Sequence, residues 1–270
     1  MTWKEFSMID KKEFLLESII KAYIINLEPI GSSQLKQMYD LEYSSATIRG
    51  YFKKLGDEGF LVQEHISSGR VPSVVALKQY WSSQLSRKLE NVDLQSLKYF
   101  AKEIGLSVAL KKETNSKLLK VVDFEQSYIV LRFEDFAVTI KYSSALYKFL
   151  QDFIGLDIEQ IMSISRQVGA FELYNELVAR TYGDSYQTVN VKEYIKMALG
   201  YGLDDNMING YFNGRIFENL KDGIYFDTIV PKGYIGICDS VKIDGEESKM
   251  LVMGDLSKNY NYFYERVAAW

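Results

Sequence analysis

The stretch Ser44-Ser-Ala-Thr-Ile-Arg-Gly-Tyr-Phe-Lys-Lys-Leu55 carries two different faces at helical spacing. Ser44 is a favourable N-cap residue, so the pattern predicts a helix from Ser45 to about Leu55 that Gly56 or Gly59 ends. One stripe of this helix is apolar and would anchor it to a core: Ile48, Tyr51, Phe52 and Leu55. The other stripe carries small residues and cations, the last two at its margin: Ala46, Arg49, Gly50, Lys53, Lys54 and Thr47. This second stripe is predicted to be open to a partner molecule.

Two more helices are predicted ahead of this one. The first covers residues 10–26, with Asp10 as its N-cap, Glu13 completing an Asp form of the capping box, and Pro29 beyond its end. Its inner face is apolar at three- and four-residue spacing: Phe14, Leu15, Ile19, Ala22, Tyr23 and Ile24. The second helix is short: it starts at Ser32 or Ser33, extends to about Tyr39, and is followed by the turn that leads to the third helix.

A strand and a turn follow the third helix. Phe60–Ile66 has the composition of a strand, Ser67-Ser68-Gly69-Arg70 that of a hairpin turn, and Val71-Pro72 that of the returning strand. Gly69 is expected to supply the positive φ of a tight turn. Arg70 is expected at or near the tip, where a cation reaches a phosphate or a narrow minor groove. Three helices followed by a basic β-wing predict a winged helix-turn-helix, a fold that binds DNA.

Each of these signals also has a purely structural interpretation. Three short helices occur in many small domains, and the cations of the third helix would also suit an ordinary solvated face. His65, the only histidine, is interpreted as a structural residue, and without a His or Cys partner it cannot build a zinc site. The wing directly after a helix with this face favours DNA binding over these alternatives.

Composition alone gives no support to a nucleic-acid partner. The net charge is −4, and residues 1–81 contain ten Lys and Arg against ten Asp and Glu, so the position of the cations matters more than their sum. At 270 residues, with 47% hydrophobic and 25% charged residues, the chain suits two or three globular domains. Its three prolines and the lack of low-complexity runs indicate that these domains are closely joined.

The cellular location is predicted from sequence features that are missing. No apolar run reaches the roughly 20 residues that span a bilayer, and the start of the chain lacks the basic and apolar parts of a signal peptide. Cys238, the single cysteine, has no disulfide partner within the chain. These features predict a cytoplasmic protein without a transmembrane segment. Cys238 itself is interpreted as a small buried hydrophobe in a strand rather than a redox switch.

The rest of the chain alternates between helical and strand patterns, which predicts an α+β sheet domain. Helices are predicted at residues 73–90 (linking the wing to the next domain), 93–104, 146–154, 158–179 and 260–268. Strands are predicted at residues 107–110, 118–123, 128–133, 136–142, 224–227, 234–241 and 249–253, with turns at 221–223 and 244–245. No nucleophile elbow, phosphate loop or acid pair with a defined partner occurs, so the chain is predicted not to be an enzyme and to hold no cofactor or metal.

Three ordered segments resemble the signature of a known family: Glu28-Pro-Ile-Gly-Ser, Ser44-Ser-Ala-Thr-Ile-Arg and His65-Ile-Ser-Ser-Gly-Arg-Val-Pro-Ser. They are similar to segments of the HrcA family of bacterial heat-inducible transcription repressors, and the resemblance is strong over about residues 10–81. Gly50 stands where the family usually has Asn, which removes a side chain able to bond a base edge. The segment 252–262 keeps the Gly and the final Tyr of the family's Gly-Pro-Thr-Arg-Met-Asp-Tyr but not its Arg-Met pair.

The resemblance implies a division of the chain and a function. Residues 1–88 would be the winged helix-turn-helix with its linker helix, residues 89–155 and 211–270 a GAF-like α+β domain, and residues 156–210 an inserted dimerisation segment. The chain would be a homodimeric repressor of heat-shock (chaperone) operons that binds an inverted-repeat operator in double-stranded DNA. Heat would inactivate it, and the general chaperonin would keep it active.

The predicted DNA contacts all lie on the third helix and the wing. The contacts at the helix end are assigned to Ser44, Ser45, Thr47 and Arg49, those with phosphates to Lys53 and Lys54, and those of the wing to Ser68, Gly69 and Arg70. Two other functions stay open. In one, the GAF-like domain binds a small molecule and the chain is a ligand-sensing regulator. In the other, the chain is chiefly a chaperonin client whose marginal stability is the heat signal.

Overall fold

The computed structural model describes residues 3–63, 65, 68–87, 89–113, 116–183, 185–218 and 220–268, with the side chains of all of these but 3–10, 182 and 183. Helices alternate with sheets of two, three and six strands, so the predicted α+β class is confirmed. Within the described residues, no helix combines the length and the apolar character that a membrane span requires.

The first 72 residues form three helices and a small sheet around one core. Helix α1 spans Trp3–Asn26, α2 spans Ser32–Met38 and α3 spans Ser45–Asp57. Strands β1 (Leu61–Val62) and β2 (Val71–Pro72) follow and pair antiparallel. Buried apolar side chains from the helices, their connections and β1 meet in this core: Leu15, Ile19, Ala22, Ile30, Leu35, Leu41, Ile48, Phe52, Leu55 and Leu61.

Helix α1 differs from the prediction at its start and in its faces. It begins at Trp3, because residues 3–9 contain no proline or glycine that would stop it, so the predicted capping box of Asp10 and Glu13 is wrong. Phe14 was expected to be buried but is 49% exposed. Ile20 is buried instead, because the other side of α1 packs against a second core.

The start of α2 is confirmed, whereas the predicted end of the linker helix is wrong. Helix α2 starts at Ser32 after the N-cap residue Gly31, whose N–H donates to Gln34 Oε1 at 3.3 Å. Helix α4 (Val74–Gln84) is capped by Ser73 and is shorter than the predicted linker helix. It ends because the backbone becomes extended at Leu85 and continues toward the next sheet.

A six-stranded sheet is the centre of the C-terminal part of the chain. Its path is β3 (Asn91–Val92), β10 (Tyr234–Ile243), β11 (Glu246–Asp255), β4 (Ser107–Lys112) and β8 (Tyr186–Val189), and β9 (Gly223–Tyr225) also pairs with β10. Strand β3 joins β10 in parallel, whereas the other pairs are antiparallel. The β10–β11 hairpin turns at Asp244-Gly245, both at positive φ, which confirms the predicted turn there. Gly223, predicted as part of a turn, is the first residue of β9.

Alternate residues along these strands face two separate cores. On one face the strands pack against α1, α4, α5 (Leu94–Ile104) and α11 (Tyr260–Ala268). On the other they pack against α9 (Val191–Tyr201) and α10 (Asp205–Phe212). We call the six strands with α5, α9, α10 and α11 the sheet unit. Cys238 of β10 is fully buried in it, as predicted, and burial raises the pKa of its thiol to about 12.

Residues 116–183 fold around a core of their own, and we call them the three-stranded unit. Strands β5 (Leu118–Phe124), β6 (Tyr128–Phe133) and β7 (Ala137–Lys141) form an antiparallel sheet. Helices α6 (Ser144–Gln151), α7 (Ile158–Gln167) and α8 (Phe171–Gly183) belong to the same unit. The single helix predicted at 158–179 is therefore wrong, because the chain turns at Gly169 with φ +77°.

Several elements lie where the sequence pattern predicted none. These are the short strands β3 and β8, the helices α9 and α10, and a 3₁₀ helix at Arg215–Phe217 that follows α10. Most of them fall in the segment 186–217, which completes the sheet unit after the three-stranded unit has interrupted it. The sheet unit is consequently built from two separate parts of the sequence.

Candidate nucleic-acid interface

The start of α3 is fixed by its N-cap. Ser44 Oγ accepts a hydrogen bond from the backbone N–H of Thr47 at 3.1 Å, which confirms the predicted cap. The Thr47 hydroxyl lies 2.9 Å from the same oxygen. Both side chains are exposed, so the cap leaves them accessible while it satisfies one of the free N–H groups of the first turn.

The two stripes of α3 are separated as predicted. Ile48, Phe52 and Leu55 are buried in the N-terminal core and hold the helix in place. The cation-bearing stripe faces solvent, with these residues exposed: Ala46, Thr47, Arg49, Gly50, Lys53 and Lys54. This arrangement presents cations on a helix that cannot rotate without exposing its apolar side.

The cations on this face differ in their surroundings. Arg49 and Lys53 have no ion-pair partner among the residues that the structure describes. Lys54 Nζ lies 5.7 Å from the centre of the Tyr51 ring, within the range of a cation–π contact. An anion approaching α3 would therefore meet two guanidinium or ammonium groups that no carboxylate of the described chain neutralises.

Ser45 points toward the neighbouring helix rather than along the open stripe. It is half-buried, and its Oγ lies 3.4 Å from Ser33 Oγ of α2. A second contact between helices is the ion pair of Lys12 Nζ in α1 with Glu58 Oε2, just after α3, at 2.8 Å. These contacts fix the angle of α3 against α1 and α2.

The described strands of the wing are shorter than predicted. Only Leu61 and Val62 pair with Val71 and Pro72, and the described residues between them (Gln63, His65 and 68–70) belong to neither strand. The predicted strand and turn positions Glu64, Ile66 and Ser67 lie outside the described residues. Within the described part, His65 and Ser68 close a turn: Ser68 N–H donates to the His65 carbonyl at 2.9 Å, and Ser68 Oγ accepts from His65 N–H at 3.1 Å.

Arg70 is not at the tip of the wing, contrary to the prediction. Its N–H donates to the Ile30 carbonyl at 2.9 Å, and Ile30 N–H donates to its carbonyl at 2.9 Å. This bridge fixes the Arg70 backbone beside the segment between α1 and α2, and the side chain is half-buried. Arg70 therefore lies at the base of the loop, next to β2.

The role predicted for Gly69 is also wrong. Gly69 is not among the glycines with positive φ. Its backbone instead passes so close to the α1–α2 connection that a Cβ would lie 2.6 Å from the carbonyl carbons of Pro29 and Ile30. Glycine is required here because two backbone segments approach each other closely, not because the turn is left-handed.

His65 was interpreted from the sequence as a structural residue, but it belongs to the exposed surface of the wing. Its side chain is exposed in the loop, and its backbone closes the turn with Ser68. The sequence signal that bears on it is its place at the end of the predicted strand Phe60–Ile66, directly before the polar turn residues. Among the described residues, no group of three His, Cys, Asp or Glu is arranged to hold a metal ion.

The chain is similar in sequence to one family of known proteins over nearly its whole length. The profile of the HrcA C-terminal domain matches residues 81–269. Two relatives from Helicobacter pylori strains, each called heat-inducible transcription repressor HrcA, are 30% identical over 97% of this chain and 96% of their own length. A relative of the same name from Phytoplasma australiense is 31% identical over 45% of this chain and 35% of its own length.

A solved structure gives a likeness of the fold alone. It is the crystal structure of a hypothetical protein, with 18% sequence identity, a TM-score of 0.50, and coverage of 96% of both chains. The likeness extends over nearly the whole length of both chains.

Proposed function

The chain belongs to the HrcA family, and from this premise we propose that it is a transcription repressor that binds operator DNA through α3 and the β1–β2 loop. The observation that carries the proposal is the exposed, cation-bearing stripe of α3, held outward by an apolar stripe and a capped first turn. The relatives' shared name, heat-inducible transcription repressor, supports the same class of function.

In this proposal the N-terminal part is a winged helix-turn-helix. Helix α3 enters the major groove, where Arg49 reads base edges. Thr47, in the first turn of α3, lies near the bases at the N-terminal end of the helix. The free amides at the start of α3, beside Ser44 and Ser45, receive a phosphate. Lys53 and Lys54 contact phosphates farther along the backbone, and each such contact contributes affinity that falls as salt rises.

The wing contributes differently from the sequence-based prediction. The described residues between β1 and β2 follow directly on α3 and β1, and in this proposal the outer part of the wing reaches the flanking backbone or the minor groove. Ser68 and His65 occupy that outer part, while Gly69 and Arg70 hold the base of the loop against the α1–α2 connection. We assign the outer contacts to Ser68 and His65, and a supporting role to Gly69.

We further propose a homodimer on an inverted-repeat operator. Two copies of α3 would then enter major grooves about 34 Å apart, one helical turn of DNA, or a multiple of that distance. The predicted division at residues 89–155, 156–210 and 211–270 stays a prediction. The separate core of the three-stranded unit favours residues 116–183 as the inserted segment instead.

Selection of bound DNA from a random pool tests the proposal directly. We expect an enriched inverted repeat whose half-sites have the spacing given above, because a symmetric dimer reads a symmetric site. Enrichment of a single, unrepeated site would contradict the dimer, and no enrichment with the full-length chain would contradict sequence-specific binding. Inactivation by heat and support by a chaperonin are separate proposals, tested by binding after heating.

A second candidate function, sensing of a small molecule, is favoured by one cavity. It has a volume of about 340 Å³ and is lined by Tyr23 of α1 as well as by residues of the sheet unit, among them Tyr194, Tyr234 and Lys258. A compound bound there would touch both the DNA-binding part and the sheet unit. A thermal-shift screen of metabolites tests this, because a ligand of the folded state raises the melting temperature by mass action.

A further inference from the structure

The three-stranded unit and the sheet unit have separate apolar cores. Among the described residues, the buried apolar cluster of the three-stranded unit shares no member with the two clusters of the sheet unit. We call the boundary between the two units the seam. There, charged and hydroxyl side chains of α7 and α8 contact Lys111 of β4 and Glu218 of the turn after the 3₁₀ helix. The seam is thus held by directional polar contacts between two independently packed units.

Glu218 is the centre of this seam. Arg166 of α7 donates through Nη1 to Glu218 Oε2 at 2.6 Å, and the Tyr174 hydroxyl of α8 donates to Glu218 Oε1 at 2.5 Å. Arg215, on the same side of the seam as Glu218, donates through Nε to Oε1 at 3.2 Å. One carboxylate, with only 18% of its side chain exposed, therefore accepts from three donors on two units.

The protonation state of Tyr174 is consistent with its part as a donor. Burial, followed by the hydrogen bond to Glu218, raises the pKa of the Tyr174 phenol. The phenol consequently stays protonated at neutral pH and can donate to the carboxylate. A hydrogen bond to a charged acceptor contributes more than one between neutral groups.

A second ion pair crosses the seam at β4. Lys111 Nζ lies 2.5 Å from Glu159 Oε1 of α7. The Lys111 side chain is only 5% exposed, whereas that of Glu159 is 58% exposed. The lysine therefore belongs to the sheet unit as a buried group, and the glutamate reaches it from solvent.

Open space flanks these contacts. A cavity of about 530 Å³ lies between Lys111 and Glu218, and another of about 930 Å³ lies on the side of α10. Arg166 and Glu218 line both cavities, so their ion pair borders open space on each side. Tight apolar packing, which would lock the two units together, is missing where the cavities lie.

We propose that Glu218, with Arg166 and Tyr174, is a polar latch that fixes the orientation of the three-stranded unit on the sheet unit. When the latch opens, the three-stranded unit turns as a body while both cores stay intact. If the three-stranded unit carries the dimer contact, a point that rests on the proposed function, the latch also sets the distance between the two copies of α3. Glu218 is a positioning residue in this scheme.

Distance measurement between two spin labels tests the latch without DNA. One label is placed at Thr139→Cys on β7 and the other at Gln95→Cys on α5, both exposed positions. Cys238 is left unchanged because it is fully buried. Labelled chain is mixed with excess unlabelled chain, so that distances within one chain are measured even in a dimer.

We expect one narrow distance distribution for the native latch. Glu218→Ala should broaden this distribution or add a second distance, while far-UV circular dichroism stays that of the parent chain. The matched control is Glu247→Gln, which removes an ion pair with Lys242 (3.3 Å) inside the sheet unit and should leave the distribution narrow. A distribution for Glu218→Ala as narrow as that of the parent would overturn the latch.

Two milder variants keep the test decisive if Glu218→Ala does not fold. Tyr174→Phe removes only the hydroxyl, and Arg166→Gln removes a half-exposed guanidinium. Each should broaden the distribution less than Glu218→Ala, and molar sodium chloride should act in the same direction on the parent by screening the exposed partners. Unchanged distributions in both variants would also overturn the proposal. Because no DNA is present, this result is independent of whether the chain binds an operator.

Discussion

At the scale of single residues, the proposed function makes Arg49 the side chain on which DNA recognition should depend most. It is exposed on α3 and has no ion-pair partner in the described chain, so removing it leaves the fold unaffected. We expect Arg49→Ala to weaken specific operator binding by roughly 1–3 kcal/mol, the usual range for an arginine that reads a base edge. Mobility-shift titration against selected and scrambled DNA measures the change. The control is Arg132→Ala, an exposed arginine of β6, and an equal effect of both variants would refute the assignment of Arg49.

Two glycines of the interface should respond in opposite ways to the same substitution. A Cβ at Gly50 meets nothing within 4 Å, so Gly50→Ala should stabilise α3 by about 0.5–1 kcal/mol by restricting the unfolded chain. A Cβ at Gly69 would lie 2.6 Å from backbone carbons of Pro29 and Ile30, so Gly69→Ala should lower the free energy of unfolding. Urea denaturation of both variants measures these changes. Stabilisation by Gly69→Ala would show that the loop does not approach the α1–α2 connection closely.

The same residues show how far sequence reasoning reached at this scale. The open stripe of α3 was predictable, because its residues repeat with the helix period and the stripe is local. The reason for Gly69 was not, since it depends on Pro29 and Ile30, forty residues away in sequence. The same distant segment moved Arg70 from the tip to the base of the loop. A local pattern cannot report a contact with a remote backbone.

At the scale of elements, substitutions of Ser44 can distinguish its role as the N-cap of α3 from its proposed position next to DNA. Ser44→Ala removes the acceptor for the Thr47 N–H and should destabilise the chain by about 1 kcal/mol. Ser44→Asp keeps an acceptor and adds a negative charge at a helix start, so stability should be retained or raised. The same carboxylate would face phosphates, and operator affinity should fall. Thermal melting and mobility shift together check both expectations, and unchanged affinity in Ser44→Asp would place the start of α3 away from DNA.

Element boundaries were predictable where the signal is local and were missed where it is not. The cap at Ser44 was predicted from a short polar side chain before an apolar run, and helices were predicted to begin at Ser73 and Asp93, which are the N-cap residues of α4 and α5 in the structure. The helix predicted at 158–179 is interrupted at a single glycine, Gly169, which has a left-handed backbone conformation. The apolar residues keep their helical spacing across this glycine, so the sequence pattern gave no sign of the break. Strand β8 is four residues long and gains its partner β4 from beyond the whole three-stranded unit. Strand order of this kind is a property of the folded chain.

At the scale of the whole molecule, the N-terminal part, which we propose binds DNA, shares a core with the sheet unit. Ile20 and Ile24 of α1 share a buried cluster with residues of α4, the sheet and α11. Trp81 of α4 lies within this cluster, donates through Nε1 to the Leu256 carbonyl at 2.7 Å, and contacts Tyr260 edge to face. Unfolding of the sheet unit would remove the support of α1, against which α3 is held. Loss of DNA binding on heating should therefore accompany the loss of this shared core.

Trp81→Phe tests this coupling, because Trp81 lies in the shared core and not on the stripe of α3. The substitution leaves the Leu256 carbonyl without its donor and leaves space unfilled, which should cost about 1–3 kcal/mol. We expect the temperature of unfolding, followed by circular dichroism, and the temperature at which operator binding is lost to fall together. The control is Tyr99→Ala, an exposed position on α5 that should move neither temperature.

Separation of the two temperatures in Trp81→Phe would show that heat releases DNA by another route. Recovery after cooling then distinguishes the remaining possibilities. If the shared core refolds unaided, binding returns fully on cooling, because the same contacts re-form around Trp81 and Tyr260. If the unfolded sheet unit aggregates first, binding stays lost unless a chaperonin is present during cooling, as expected of a chaperonin client. Full spontaneous recovery would rule against the client hypothesis and leave the stability of the shared core as the heat-sensitive property.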